Sequence, residues 1–410
     1  MIVASVPMLL ALAAGVVSAQ TSEWTTTQPL PKPTGRYAIG TVSFQMMDTV
    51  LFPDGRRVAR PVTAQAWYPS RRGQQPKAHY VEQRPLLDAM LSEKYQDLPA
   101  AQIRPWGELN LSASTGATPA NSPSGRGWPA LVFSHGFGVS RVNYSALAQE
   151  LASRGYVVLT VDHPYGGFMV ASDGRLLQPG GDSLRRRLGS PPALATVDSA
   201  LAWDARRWAR EGAAVVRRVA VRRTGALALA SLSIDTMRVG MLGHSLGGAA
   251  ALQGCRDDAI FRACADMDGE PVGDVERDGV PKPILVLLSQ PGHSDGQAAQ
   301  SVSQPADSSE RAHREEFARM GRERDSTWRA IPGRNPSIPA FIVKLEGTAH
   351  FSFSDAPFLM PSLLQGTGST LSATQANGLV ISYLTAFFDH FLRDAPLRLL
   401  TPGLTTVPSK

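Results

Sequence analysis

The chain is predicted to fold as an α/β protein, with a mostly parallel central sheet, helices on both faces and a lid-like insertion. Three observations carry that expectation. From residue 129 onward, short apolar runs alternate with segments of helical periodicity. Tyr156 to Val161 is an apolar run of the kind found in strands buried on both faces. And Gly243-His244-Ser245-Leu246-Gly247 lies between a strand-like run, Arg238 to Leu242, and a small-residue helix that opens at Gly248-Ala249-Ala250-Ala251-Leu252.

The last observation has chemical content. A serine at a strand-to-helix turn sits on a strained bend, with its hydroxyl pushed out above the sheet edge. Glycines flank it because a Cβ there would meet the neighbouring strand and helix. The five-residue pattern alone is weak. Its strand–turn–helix context makes it the nucleophile elbow of an α/β-hydrolase fold.

The other elements follow in order. Residues 1–19 read as a secretory signal: Val3 to Val17 is almost wholly apolar, Val17-Ser18-Ala19 offers small residues for cleavage, and the start lacks Lys and Arg. Residues 20–36 are Thr/Pro-rich and read as a linker. A single hydrolase domain is expected over 37–400, with insertions at 70–127 and 290–335 and a C-terminal tail at 401–410. Tyr37 to Met47 and Val58 to Tyr68 read as the first two strands, joined by a turn at Pro53-Asp54-Gly55. The insertion at 70–127 is polar, with one helix around Pro85 to Tyr95. Pro129 to Ser134 is a strand and Val142 to Arg154 an amphipathic helix. After the Gly-rich loop 163–190, Leu194, Val197, Leu201 and Trp208 recur at helical spacing, so 192–219 is mostly helix. Ala263 to Met267, Pro283 to Leu288 and Ala340 to Lys344 read as strands. A charged helix from about Ser309 to Arg329 occupies the lid position, and Ala373 to Leu392 closes the domain.

Composition narrows the function classes. The 410 residues are 43% hydrophobic, enough for a large core. The net charge of +6 sets 35 arginines and 6 lysines against 35 acidic residues. They are spread along the chain without the aromatic-interleaved basic motifs of RNA binders, which argues against nucleic acid. The densest run, Arg206 to Arg223, reads as a solvated helix face, with contact to an anionic lipid surface as the second reading. Cys255 and Cys264 fit either one short-range disulfide or two buried thiols. With no nearby His pair they cannot complete a zinc shell. No metal and no cofactor is expected. The leader points to a secreted or periplasmic protein.

A serine nucleophile needs a base, an orienting acid and an oxyanion hole. In this fold the chain order is Ser, acid, His. His350, in Gly347-Thr348-Ala349-His350, follows the last strand, where the base belongs. His79, His313 and His390 lie in insertions or the final helix, and His293 lacks a strand-end position. His135 and His244 sit in glycine turns and read as loop-orienting, while His163 could line the pocket. For the acid, position alone leaves Asp268, at the end of the strand after the elbow helix, level with Asp295, after the next strand. Asp266 is deeper, and Glu270 and Asp274 are outsiders. The oxyanion hole is expected from the backbone N–H groups of Leu246 and Phe137, the latter in Ser134-His135-Gly136-Phe137-Gly138.

Several stretches resemble a known family. Phe133 to Gly138 with Ser140-Arg141-Val142-Asn143-Tyr144-Ser145, Leu151 to Val158 with Asp162-His163, and Gly243 to Ala249 are similar to the secreted platelet-activating-factor acetylhydrolases, the group that includes lipoprotein-associated phospholipases. Phe261 to Asp268 and Gly347 to Asp355 match more loosely. The resemblance implies that the acid ends the strand after the elbow helix, which selects Asp268. It also implies a calcium-independent serine esterase that removes short acyl groups from phospholipids. A general short-chain esterase or polyester hydrolase is the alternative within enzymes. A non-catalytic hydrolase-like binding protein is the alternative outside them.

Overall fold

The computed structural model describes residues 30–51, 55, 57–92, 100–179, 197–290, 324, 326–364 and 367–407. Its strands, in chain order, are β1 (Ala38–Leu51), β2 (Arg57–Ser70), β3 (Lys77–His79), β4 (Asn110–Thr115), β5 (Trp128–Ser134), β6 (Val157–Asp162), β7 (Met169–Val170), β8 (Leu176–Leu177), β9 (Ile234–His244), β10 (Phe261–Met267), β11 (Ile284–Gln290), β12 (Ala340–Glu346) and β13 (Gly403–Val407). The helices are α1 (Arg84–Ser92), α2 (Ala100–Ile103), α3 (Ser145–Ser153), α4 (Val197–Ala220), α5 (Leu246–Asp257), α6 (Asp274–Asp278), α7 (Ala356–Leu359) and α8 (Ala373–Arg393).

One sheet holds all strands but β7 and β8, in the order β13-β12-β11-β10-β9-β5-β6-β2-β1-β4-β3. From β6 to β13 every neighbour is parallel. The β2 strand runs antiparallel to both β6 and β1. Alternation along each central strand splits the core in two. Leu131, Phe133, Leu242, Ala265, Leu285 and Phe341 face a cluster that includes Leu147 and Leu151 of α3 and Leu384 and Phe387 of α8. Val132, Met241, Cys264, Val286 and Ile342 face the other cluster, with Trp208 and Val216 of α4 and Ala250 and Leu252 of α5. A parallel sheet covered on both faces needs apolar residues at successive positions, and that is the pattern these strands carry.

Two expectations need correction. The tail at 401–410 is not a tail: Gly403–Val407 pairs in parallel with Phe341–Leu345 and extends the sheet. The insertion at 70–127 holds more than one helix. It supplies β3 and β4, α1 and α2, and buries Tyr80, Leu86, Ile103 and Trp106 in the core. Its polar composition hid these anchors, which are scattered singly. The end of the expected linker is also fastened: Thr34 N–H and hydroxyl donate to the Glu150 carboxylate at 2.7 and 2.6 Å, and Gly35 N–H donates to Ser153 Oγ. The expected helix 192–219 appears as α4 from Val197. Cys255 and Cys264 form a disulfide between the end of α5 and β10. The signal segment, Asp295, His293, His313 and most of the lid-like insertion lie outside the described residues. Among the described residues no helix is long and apolar enough to cross a membrane.

Candidate active site

The carboxyl ends of the parallel strands come level at one place. Ser134 of β5 pairs with Gly243 of β9, which pairs with Asp266 of β10. Open α/β sheets place their ligands at such an edge. Here β9 runs straight into α5 through Ser245, whose backbone sits at φ 56°, ψ −125°. That conformation is costly for a residue with a Cβ, by about 1–3 kcal/mol, and persists only where surroundings enforce it. They do so by contact. A Cβ on Gly243 would lie 2.1 Å from Gly247 O, and one on Gly247 would lie 2.1 Å from Ser134 O. The turn is further pinned by Ser245 N–H donating to Met267 O at 2.9 Å.

Asp268 follows β10 and also has a positive φ, 57°. Its N–H donates to Leu287 O at 2.7 Å, which swings the side chain toward the sheet edge. The carboxylate is buried and accepts from Ser289 N–H and Ser289 Oγ, each at 2.8 Å. His350, in a short 3-10 turn after β12, donates from Nδ1 to Asp268 Oδ2 at 2.7 Å. Arg324 lies 3.6 Å from Asp268 Oδ1. Burial pushes the Asp268 carboxyl up, but His350, Arg324 and the Ser289 N–H together hold it well below the usual carboxylate range. An imidazole that donates from Nδ1 keeps its lone pair on Nε2 when neutral. The His350 side chain is 44% exposed, so that nitrogen is reachable from outside. No hydrogen bond joins Ser245 Oγ to His350 among the described residues.

Two backbone donors flank the serine. Leu246 is the first residue of α5, where an N–H has no intrahelical acceptor. Phe137 follows β5 in the neighbouring loop. Among the described residues neither N–H donates a hydrogen bond. The Phe137 loop rests on a buried polar network. His135 Nδ1 donates to Gly136 O at 2.6 Å, and its Nε2 accepts from His163 N–H at 3.2 Å. The His163 ring stacks on Trp208, donates from Nδ1 to Glu211 at 2.6 Å and accepts from Ser134 Oγ at 3.0 Å. Arg60 completes the set with an ion pair to Glu211. Burial opposes ionisation of Glu211, yet Arg60, His163 and Arg207 pull its pKa down to about 2. Burial lowers His135 to about 4. Both histidines therefore serve the loop as neutral rings.

A sequence model described as the Alpha/beta hydrolase family matches residues 131–401, two thirds of the chain. The chain belongs to the α/β-hydrolase family. A second model, platelet-activating factor acetylhydrolase isoform II, matches residues 27–166 of this chain. A probable 1-alkyl-2-acetylglycerophosphocholine esterase of Arthroderma benhamiae is 28% identical over 193 residues, 46% of this chain and 43% of that protein. The platelet-activating factor acetylhydrolase of Bos taurus is 28% identical over 190 residues, 42% of each. The matches thus span less than half the length of these curated relatives. A solved ferulic acid esterase from Streptomyces cinnamoneus covers 92% of this chain and 96% of its own, with a TM-score of 0.65 and 26% identity.

Of the residues singled out in the sequence, Ser245, Leu246, Phe137, Asp268 and His350 gather at one sheet edge. His163 does not line the opening; it is buried against Glu211 and Trp208. Asp266 is buried beneath the turn and accepts from Gly269 N–H at 2.7 Å, with burial keeping its carboxyl well up. Ser289 and Arg324 escaped the sequence reading, because their partners are set by strand register and loop approach rather than by a local pattern. Among the described residues no cluster of His, Cys, Asp or Glu could hold a metal ion.

Proposed function

We propose that the chain is a serine carboxylic-ester hydrolase with Ser245 as nucleophile, His350 as base and Asp268 as the orienting acid. The observation that carries the reading is the 2.7 Å His350–Asp268 hydrogen bond beside a serine in a strained strand-to-helix turn. In the first step Ser245 Oγ attacks the ester carbonyl carbon while its proton passes to His350 Nε2. The buried Asp268 carboxylate stabilises the imidazolium through Nδ1–H. Phe137 and Leu246 N–H groups receive the negative carbonyl oxygen. Collapse breaks the bond to the alkoxide, which takes the proton from His350. Water, deprotonated by the same imidazole, then hydrolyses the acyl-serine.

The substrate proposed is a short acyl ester, such as the acetyl group of a platelet-activating-factor-like phospholipid. The family match over 27–166 and the two partial relatives support it. The whole-chain likeness to a ferulic acid esterase favours a second reading, a general esterase with a wider alcohol or acyl range. Export is proposed on the apolar run Val3 to Val17, with cell fractionation as its test.

Wild type should hydrolyse a short-chain nitrophenyl ester and Ser245→Ala should not. Activity retained in that variant, or a fluorophosphonate label on another residue, would sink the assignment. Asp268→Asn should lower kcat by about three to four orders of magnitude, since the imidazolium loses its partner. A panel of acetylated phospholipid, nitrophenyl esters of rising acyl length and a feruloyl ester separates the two substrate readings.

A further inference from the structure

His350 is held by its main chain as well as its ring. His244, the residue before the serine, donates from Nε2 to His350 O at 2.9 Å. Its Nδ1 accepts from the Tyr144 hydroxyl at 2.7 Å, and that hydroxyl accepts from Gly136 N–H at 3.2 Å. All donations in this chain run one way, from the Phe137 loop to the His350 loop. Only the neutral His244 tautomer with its proton on Nε2 satisfies both partners. Tyr144 and His244 are buried, and the His244 ring lies 4.5 Å from the His350 ring and stacks on Phe353. The three loops are in contact: a Cβ on Gly136 would lie 3.3 Å from Ser245 Cβ and 3.4 Å from both His244 Nδ1 and Tyr144 Oη.

We propose that Tyr144 and His244 are positioning residues for the reaction. They tie the loop bearing Phe137 to the loop bearing His350, so that donor, serine and base keep one spacing. Among the described residues the half-exposed His350 ring makes one side-chain hydrogen bond, from Nδ1 to Asp268, and beyond it the ring is placed by its backbone. Misplacement of a reacting group by about 1 Å can cost about a hundredfold in rate. The inference rests on the Ser245–His350–Asp268 reading.

Two substitutions of one residue separate the links. In His244→Asn the amide oxygen stands near the Nδ1 position and keeps the acceptor for Tyr144, but the donor to His350 O is lost. In His244→Gln the amide nitrogen reaches the Nε2 position and keeps that donor. Rates are taken per active site, counted by fluorophosphonate titration, so misfolded protein drops out. A lost hydrogen bond is worth about tenfold, and loop displacement adds to it. His244→Asn should therefore lose about 10- to 100-fold in kcat with KM within about twofold of wild type. His244→Gln should lose less than about fivefold, and Tyr144→Phe about tenfold. The double variant Tyr144→Phe/His244→Asn should be no worse than its worse parent, because both break one chain. A wild type that does not react with the fluorophosphonate overturns the hydrolase reading and this proposal with it. A reactive wild type with His244→Asn within twofold of it in kcat, or an additive double variant, overturns the tie alone.

Discussion

At the scale of residues, Asp268 shows how one carboxylate is made dependable. Burial alone would favour its neutral form, and three kinds of partner reverse that: an imidazole, a guanidinium and an N–H with its own side-chain hydroxyl. Ser289→Ala removes only the 2.8 Å hydroxyl bond to Oδ2 and leaves the N–H in place. A hydrogen bond to an ionised carboxylate, worth about 1.5 kcal/mol or more, predicts a kcat lower by about tenfold, with KM unchanged in steady-state assays. Ser245, His350, Phe137 and Leu246 were legible because each sits in a local pattern that a turn or helix start requires. Asp268 was legible only to a choice of two, since Asp295 also follows a strand and spacing does not say which carboxylate turns inward. Ser289 and Arg324 gave no signal. They lie 21 and 56 positions from Asp268 and meet it only through the pairing of β10 with β11 and the return of the insertion.

At the scale of elements, two additions decide how firmly the sheet edge is held. The disulfide joins the end of α5 to β10 across a sequence separation of 9. Closing a loop of that size stabilises by about 2–3 kcal/mol through the unfolded chain. Cys255→Ala/Cys264→Ala should lose about that much in denaturant titration, and reductant should reproduce the loss in wild type. The second addition is β13. Without it the edge of β12 stands unpaired, and exposed edges invite association with other chains. Deleting residues 401–410 should lower Tm in a scanning measurement and raise light scattering on heating. That strand was read as a tail because five residues between Pro402 and Pro408 carry too short a pattern for strand periodicity to register. The long elements β9, α5 and α8 were legible for the opposite reason.

At the scale of the whole molecule, buried histidines and buried carboxyls set opposing responses to acid. His135, His163 and His244 are buried, and burial lowers the pKa of each below the ordinary 6.5. The unfolded chain then binds more protons than the folded one, so stability falls as pH drops below about 6.5. For His135, whose folded value is about 4, the loss approaches about 3 kcal/mol by pH 4. Asp355 works against this. It caps α3 by accepting from Ser145 and Ala146 N–H, and burial raises it to about 7. A raised carboxyl contributes stability that is full below about 4 and is lost as pH climbs through about 7. Burial raises Asp266 and Glu270 in the same direction, Glu270 to about 7, so the Tm difference between pH 7.5 and pH 5 reads the balance of these carboxyls against the three histidines. Asp355→Asn keeps a helix-capping side chain and removes one opposing titration, so on going from pH 7.5 to 5 its Tm should fall relative to that of wild type. A Tm difference between variant and wild type that stays constant from pH 7.5 to 5 would count against the raised Asp355.

The Cys255–Cys264 bridge also redraws distance along the molecule. Ser245 and Asp268 stand 23 residues apart as the polypeptide runs. Through the sulfurs the route is ten residues down α5, one crossing, and four residues up β10. Helix and strand thus become the two tines of a fork with a closed base, and the groups at their tips have a covalent circuit of their own. A cut in the backbone between Cys255 and Cys264 would leave that circuit whole.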